Sequence, residues 1–197
     1  MYKPSVEQIK KAFIKKGYPL RKGHYELNII GIRNDNATAN SFDDTICVLF
    51  KDEYGEDVLL CFPATTDPGT YWLEHPMHKD GCAIMQEGHY PDVYKVGLHK
   101  NYKALQQVGK IHYVRDNNKD NILDFDAPKK IVDVIATNIH HAGVAGTSVN
   151  VDKWSAGCQV IQTGWNEFID LCEKARLITE RNLFDYTLLN IKDVKYA

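Results

Sequence analysis

The sequence predicts a mainly β domain, of sandwich or barrel type, with one helix near its start and another towards its end. Three observations carry this. From Tyr25 to about Val160 the apolar residues fall in short β-branched runs separated by Asn, Asp and Gly turn formers. Helical spacing is confined to the two flanks. Between the flanks there is no strand–helix alternation of the kind that builds a parallel βαβ array. At 197 residues the chain has the length of one domain. No repeat, low-complexity stretch or linker divides residues 1–197.

The first flank, residues 1–24, opens on Ser5-Val6-Glu7-Gln8, a capping box that satisfies free N–H groups at a helix start. Behind it Val6, Ile9 and Phe13 share one helical face. Seven basic side chains and one acid lie within residues 1–22, a solvated face that could also meet an anionic polymer. Strand-like runs follow at 26–32 and 45–50. Glu53-Tyr54-Gly55-Glu56 reads as a hairpin turn into a third run at 57–62. Further strands are expected from Gly81 to Gln86, Tyr94 to Leu98, Lys110 to Arg115 and Ile131 to Ile139, with a short helical turn from Tyr102 to Gln107. In the second flank, residues 163–178, Trp165, Phe168, Ile169, Cys172 and Ala175 keep helical spacing, with Thr163 as a possible cap. Phe184 to Val194 reads as a closing strand.

The charge balance is close to even, 24 Lys and Arg against 26 Asp and Glu. Nucleic-acid binding is therefore not expected, because such proteins carry a basic excess to neutralise phosphates. No run approaches the roughly 18 apolar residues of a membrane span, and Met1 to Glu7 lacks the apolar core of a secretory signal. The five cysteines (Cys47, Cys61, Cys82, Cys158 and Cys172) form no CxxC pair. Neither a disulfide framework nor a thiolate zinc site is expected, and a reducing compartment follows.

The segment richest in chemistry runs from Thr137-Asn138-Ile139-His140-His141-Ala142 to Trp154-Ser155-Ala156-Gly157-Cys158-Gln159-Val160. A cysteine attacks as its thiolate, and a nearby imidazole can accept the thiol proton. Gly157 lets backbone approach a ligand closely and can aim N–H groups at a developing oxyanion. His140 ends an apolar run, and the polar loop of residues 142–153 could fold it back beside Cys158. His141 would point to the opposite face of a strand and is the weaker base. Read bluntly, Cys158 is a small core residue and His140 a strand-end hydrogen bonder.

This arrangement resembles the catalytic motif of the L,D-transpeptidases, the YkuD-like domains, in which an Ile-His element stands shortly before a Ser-His-Gly-Cys element. Here the separation of His140 and Cys158 is 18 residues. Thr65-Thr66-Asp67-Pro68-Gly69-Thr70-Tyr71 is similar to the family's Thr-Pro-x-Gly-x-aromatic stretch, with Asp67 inserted. The resemblance covers roughly residues 62–162. Two positions depart: Ala156 stands where the family has a second histidine, and Val160 where an Arg or Asn is common. The departures remove a polar contact that could help hold a peptide carboxylate.

The resemblance implies a YkuD-type fold and acyl transfer on peptidoglycan stem peptides. Cys158 would be the nucleophile and His140 its base, with Ser155, Ala156 and Gly157 around the oxyanion and no cofactor or metal required. Trp154, Gln159, His141 and Tyr71 are candidate substrate contacts. The thioester could pass to an amine or to water. An activated Cys158 should alkylate faster at pH 6–7 than an ordinary thiol. Such chemistry belongs at the cell wall or periplasm, whereas no export signal is visible; prior processing of the chain, release by phage lysis or an unrecognised export route would each reconcile the two. A cysteine peptidase or amidase on another peptide, and a non-catalytic wall- or virion-associated binding module, are the alternative readings.

Two weaker patterns remain. Asp116 to Asp124 places oxygens like the front half of a calcium loop, but Ala127 occupies the position of the bidentate Glu. It reads first as an Asn/Asp turn. His75, His78, His89 and His99 lack the spacing of a metal set and read as surface or packing residues.

Overall fold

In a computed structural model, described for residues 1–36, 38–127, 130–143 and 147–197, the chain is mainly β. Strands β1 (Asn28–Arg33), β2 (Asp44–Lys51) and β3 (Asp57–Thr65) form an antiparallel meander. The remaining strands are β4 (Cys82–Met85), β5 (Gly88–His99), β6 (Tyr102–Gln107), β7 (Ile111–Asp116), β8 (Ile131–Asp133), β9 (Ile139–His141), β10 (Gln159–Ile161) and β11 (Phe184–Asn190). Eight of them close into a barrel in the order β1-β11-β5-β6-β9-β10-β3-β2, while β4-β7-β8 form a separate three-stranded sheet. Closure leaves the barrel without a free edge.

Period-two alternation explains the continuous apolar runs. On β2, Ile46, Val48 and Phe50 face the barrel interior, while Cys47 and Leu49 face outward. The outward set is covered by Ile9, Ala12 and Phe13 of α1 (Val6–Lys16) and by Ile191 and Val194 of the short α4 (Ile191–Lys195). Both halves of the Ser5 capping box are present. Such strands are buried on both faces, so they read as unbroken hydrophobic runs. The helix α3 (Trp165–Thr179) plugs one side of the core with Phe168, Ile169, Leu171 and Cys172. A short α2 (Thr70–Glu74) packs Leu73 against Ile84 and Val114 of the small sheet.

Several expectations need correction. Residues 102–107 are a strand, not a helical turn: they pair with β5 over six positions, and that ladder overrides local preference. The run 131–139 splits into β8 and β9, which belong to different sheets. The closing strand ends at Asn190, whose side chain caps α4. Gly164, not Thr163, occupies the N-cap of α3, with no side-chain cap bond. Cys47 and Cys61 are joined by a disulfide, contrary to the framework-free reading. They stand directly opposite in the β2–β3 ladder with Cα atoms 4.2 Å apart, a juxtaposition that spacing in sequence does not reveal. Among the described residues no helix is long and apolar enough to cross a membrane.

Candidate active site

The parallel pairing of β9 with β10 positions the Cys158 motif. Val160 is the register partner of His140, and the Gln159 N–H donates to the Asn138 carbonyl at 2.9 Å. Because side chains alternate along a strand, positions 138, 140, 158 and 160 share one face and 139, 159 and 161 the other. Ile139 and Ile161 lie in the barrel core, so Cys158 and His140 stand on its outer wall. The loop of residues 142–153, expected from the sequence to fold one residue onto the other, includes residues 144–146, which lie outside the described residues.

The turn carrying Cys158 is fixed from within. Ser155 is fully buried; its hydroxyl donates to the Cys158 carbonyl at 2.7 Å and accepts the Gly157 N–H at 3.1 Å. Gly157 has φ +118°, and a Cβ there would stand 2.7 Å from the Ala83 carbonyl oxygen, so only glycine fits. The Gly69 N–H donates to the Ser155 carbonyl at 2.9 Å, which ties the Thr65–Tyr71 stretch to the motif. The inserted Asp67 is buried beside Arg33, whose Nε is 2.8 Å from Asp67 Oδ1 in an ion contact while its N–H points at Thr66 Oγ1.

Gln159 is corrected from substrate contact to internal support. It is fully buried; Tyr186 donates its phenol to Gln159 Oε1 at 2.7 Å, and the amide reaches the Thr66 carbonyl at 3.4 Å. The Tyr186 hydroxyl lies where a Cβ on Gly31 would be, 2.0 Å from that position. The absence of a side chain on β1 therefore admits the phenol that steadies the residue after the cysteine.

Cys158 is half-buried and lines a cleft of about 260 Å³ between the barrel wall and the small sheet. Ala156, Ala136, Thr137, Cys82, Ala83 and Arg115 share the lining. A larger groove of about 560 Å³ beside α1 is lined, among the described residues, by no cysteine or histidine. The Cys158 thiol donates to the Ala136 carbonyl at 3.7 Å; among the described residues it makes no hydrogen bond to an imidazole. Desolvation by the surrounding protein pushes the thiol up to about 11, against the opposing pull of the Asn138 N–H and the charge of Lys100.

His140 is only 2% exposed. Its Nδ1 is 2.9 Å from the His141 carbonyl, and a carbonyl only accepts, so Nδ1 carries the proton and Nε2 is the basic atom. Tyr102 Oη lies 3.3 Å from the same Nδ1, and the His99 ring stacks on His140 at 4.3 Å. Burial lowers the imidazole to about 4, and the neighbouring His99, His141 and Lys100 act in the same direction. Burial thus works against the charged form of each group, thiolate and imidazolium alike. Both shifts run against a preformed thiolate–imidazolium ion pair, which needs the thiol to be the stronger acid.

Gly157 is also corrected as an oxyanion donor, since its N–H is committed to Ser155. Among the described residues the N–H groups of Ala156 and Cys158 have no hydrogen-bond partner, and both residues line the cleft. His141 packs against Tyr102 and Trp165 and accepts the Gly143 N–H at Nδ1, 2.9 Å away. Tyr71 and Trp154 sit outside the cleft. Tyr71 stacks on His75 beneath the Lys153 ammonium, and Trp154 lies over Gly143 with 38% of its surface exposed.

Sequence reasoning missed His99, Tyr102, Lys100 and Arg115 as neighbours of the pair. All four lie on strands or turns far from the motif in sequence, and only the barrel order brings them together. The Asp116–Asp124 loop is held as an Asn/Asp turn: Asp116 accepts the Asp124 N–H, and Asn118 spans the Asp120 and Asp124 carboxylates. Comparison with known proteins finds no matching family model, no matching curated protein and no matching solved structure.

Proposed function

We propose that the protein is a cysteine acyltransferase of the YkuD-like kind, acting on peptidoglycan stem peptides through a thioester on Cys158. The observation that carries this reading is the β9–β10 register, which sets a cleft-lining thiol on the same face as an imidazole whose Nε2 is left basic.

In this mechanism Cys158 Sγ attacks the carbonyl carbon of the bond before a terminal D-amino acid. A sulfur–carbon bond forms as the thiol proton passes to His140 Nε2. The carbonyl oxygen, now carrying the electron pair, takes hydrogen bonds from the Ala156 and Cys158 N–H groups. Removing one such donor typically costs about 10²–10³ in rate. The carbon–nitrogen bond then breaks, and the amine leaves with the proton returned from His140. An incoming amine resolves the thioester as a cross-link, and water resolves it as a trimmed peptide.

With burial pushing both groups toward their neutral forms, the proton moves in this mechanism as the sulfur attacks, which is general-base rather than preformed-thiolate catalysis. Incubation with purified muropeptides and mass analysis of the products tests the proposal. Joined peptides indicate transfer and loss of the terminal residue indicates hydrolysis. An unchanged digest with active control enzyme in parallel would sink it and favour a binding module.

A further inference from the structure

Arg115 stands apart from the other arginines. Arg21, Arg33, Arg176 and Arg181 each meet a carboxylate, whereas among the described residues Arg115 meets none. It is nonetheless held in place. Its Nη1 donates to the Gly81 carbonyl at 2.9 Å, its guanidinium lies 5.1 Å from the Tyr113 ring centre, and its Nε is buried without a hydrogen-bond partner. It pairs across the β4–β7 ladder with Ala83, whose carbonyl abuts Gly157, and it lines the cleft that also holds Cys158. No Asp or Glu lines that cleft among the described residues.

A fixed, unpaired guanidinium with an unused donor is a carboxylate site, because guanidinium and carboxylate match in geometry and charge. We infer that Arg115 is the specificity residue of the Cys158 cleft and binds a free carboxylate of the acyl donor. The inference deepens the proposed acyl transfer and rests on it for the identity of the donor. It also assigns a carboxylate contact to this chain at a place where Ala156 and Val160 supply none.

The test uses two alkylating probes of nearly equal size, iodoacetate and iodoacetamide, which differ in a carboxylate. In each case Cys158 Sγ forms a bond to carbon, iodide leaves, and the thiol proton goes to solvent. The ratio of the two rates at Cys158, read by peptide mass mapping, is divided by the same ratio for N-acetylcysteine at equal pH. The corrected ratio should favour iodoacetate by about tenfold, the effect of one charge-assisted contact. In Arg115→Gln it should fall to about one, and Arg115→Lys should fall between. A corrected ratio of one in the unaltered protein, or one that survives in Arg115→Gln, overturns the inference.

If neither probe labels Cys158, the nucleophile reading fails, and the carboxylate site is judged by a second measurement. Acetate, but not acetamide, should shift the Arg115 Nε–H resonance saturably in NMR. No shift with either overturns the site itself.

Discussion

The Gln159 N–H donates to the carbonyl of Asn138, and this bond, with that from the Ala142 N–H to the Ile161 carbonyl, fixes how position 158 stands to position 140. Together they set the parallel register of β9 and β10, and a slip of one residue would turn the thiol into the barrel core. Gln159 is itself steadied by Tyr186 through the gap left at Gly31. The placement of the candidate nucleophile is therefore a property of the barrel, not of the loop that carries it.

The pH dependence of Cys158 follows from its surroundings. With the thiol raised to about 11 by desolvation and the imidazole lowered to about 4, the reactive thiolate is the minor form throughout the neutral range. Alkylation by iodoacetamide should rise about tenfold per pH unit between pH 6 and 9, without a plateau, and should be slower at pH 7 than for a free thiol of pKa near ~8.5. A plateau beginning below pH 6 would show an ion pair and contradict the neutral resting state.

Ser155 and Gly157 act on the backbone. Ser155→Ala removes both hydrogen bonds of a buried hydroxyl and should cost about 1–3 kcal/mol in denaturant unfolding. Gly157→Ala combines φ +118° with a close approach to the Ala83 carbonyl. It should cost at least about 1–3 kcal/mol and displace Cys158, so acylation should fall even where the fold survives. A Gly157→Ala protein of unchanged stability and activity would refute this account of the turn.

The Cys47–Cys61 bridge makes a countable prediction. Unfolded without reductant, the protein should titrate three thiols, those of Cys82, Cys158 and Cys172, and after reduction all five. Replacing both bridge cysteines by Ala should lower stability by about 3 kcal/mol, the scale for a loop of this length. Five thiols before reduction would remove the bridge.

Much of the framework was legible because it is local. The Ser5 box, the runs that became β1 to β3, and the α3 stripe of Phe168, Ile169 and Cys172 all declare themselves by spacing. What was not legible depends on pairing between distant segments. Residues 102–107 become a strand only because β5 lies beside them, Cys47 meets Cys61 only across a ladder, and Gln159 meets Tyr186 only because β11 joins the barrel. The same holds at the site. The sequence supplies Cys158 and His140 as candidates, but their neutral state comes from burial and from His99 stacked on the imidazole. Arg115 lines the Cys158 cleft from a second sheet.

The central claim is that Cys158 is the acylated atom and His140 its base. The most direct test is intact-mass and peptide mapping after exposure to a stem tetrapeptide or a carbapenem. The account predicts an acyl adduct on Cys158, none in Cys158→Ala, a rate lowered about 10²–10⁴-fold in His140→Ala, and most of the rate kept in His141→Ala. An adduct that persists in Cys158→Ala, or one that forms as fast without His140, would contradict it.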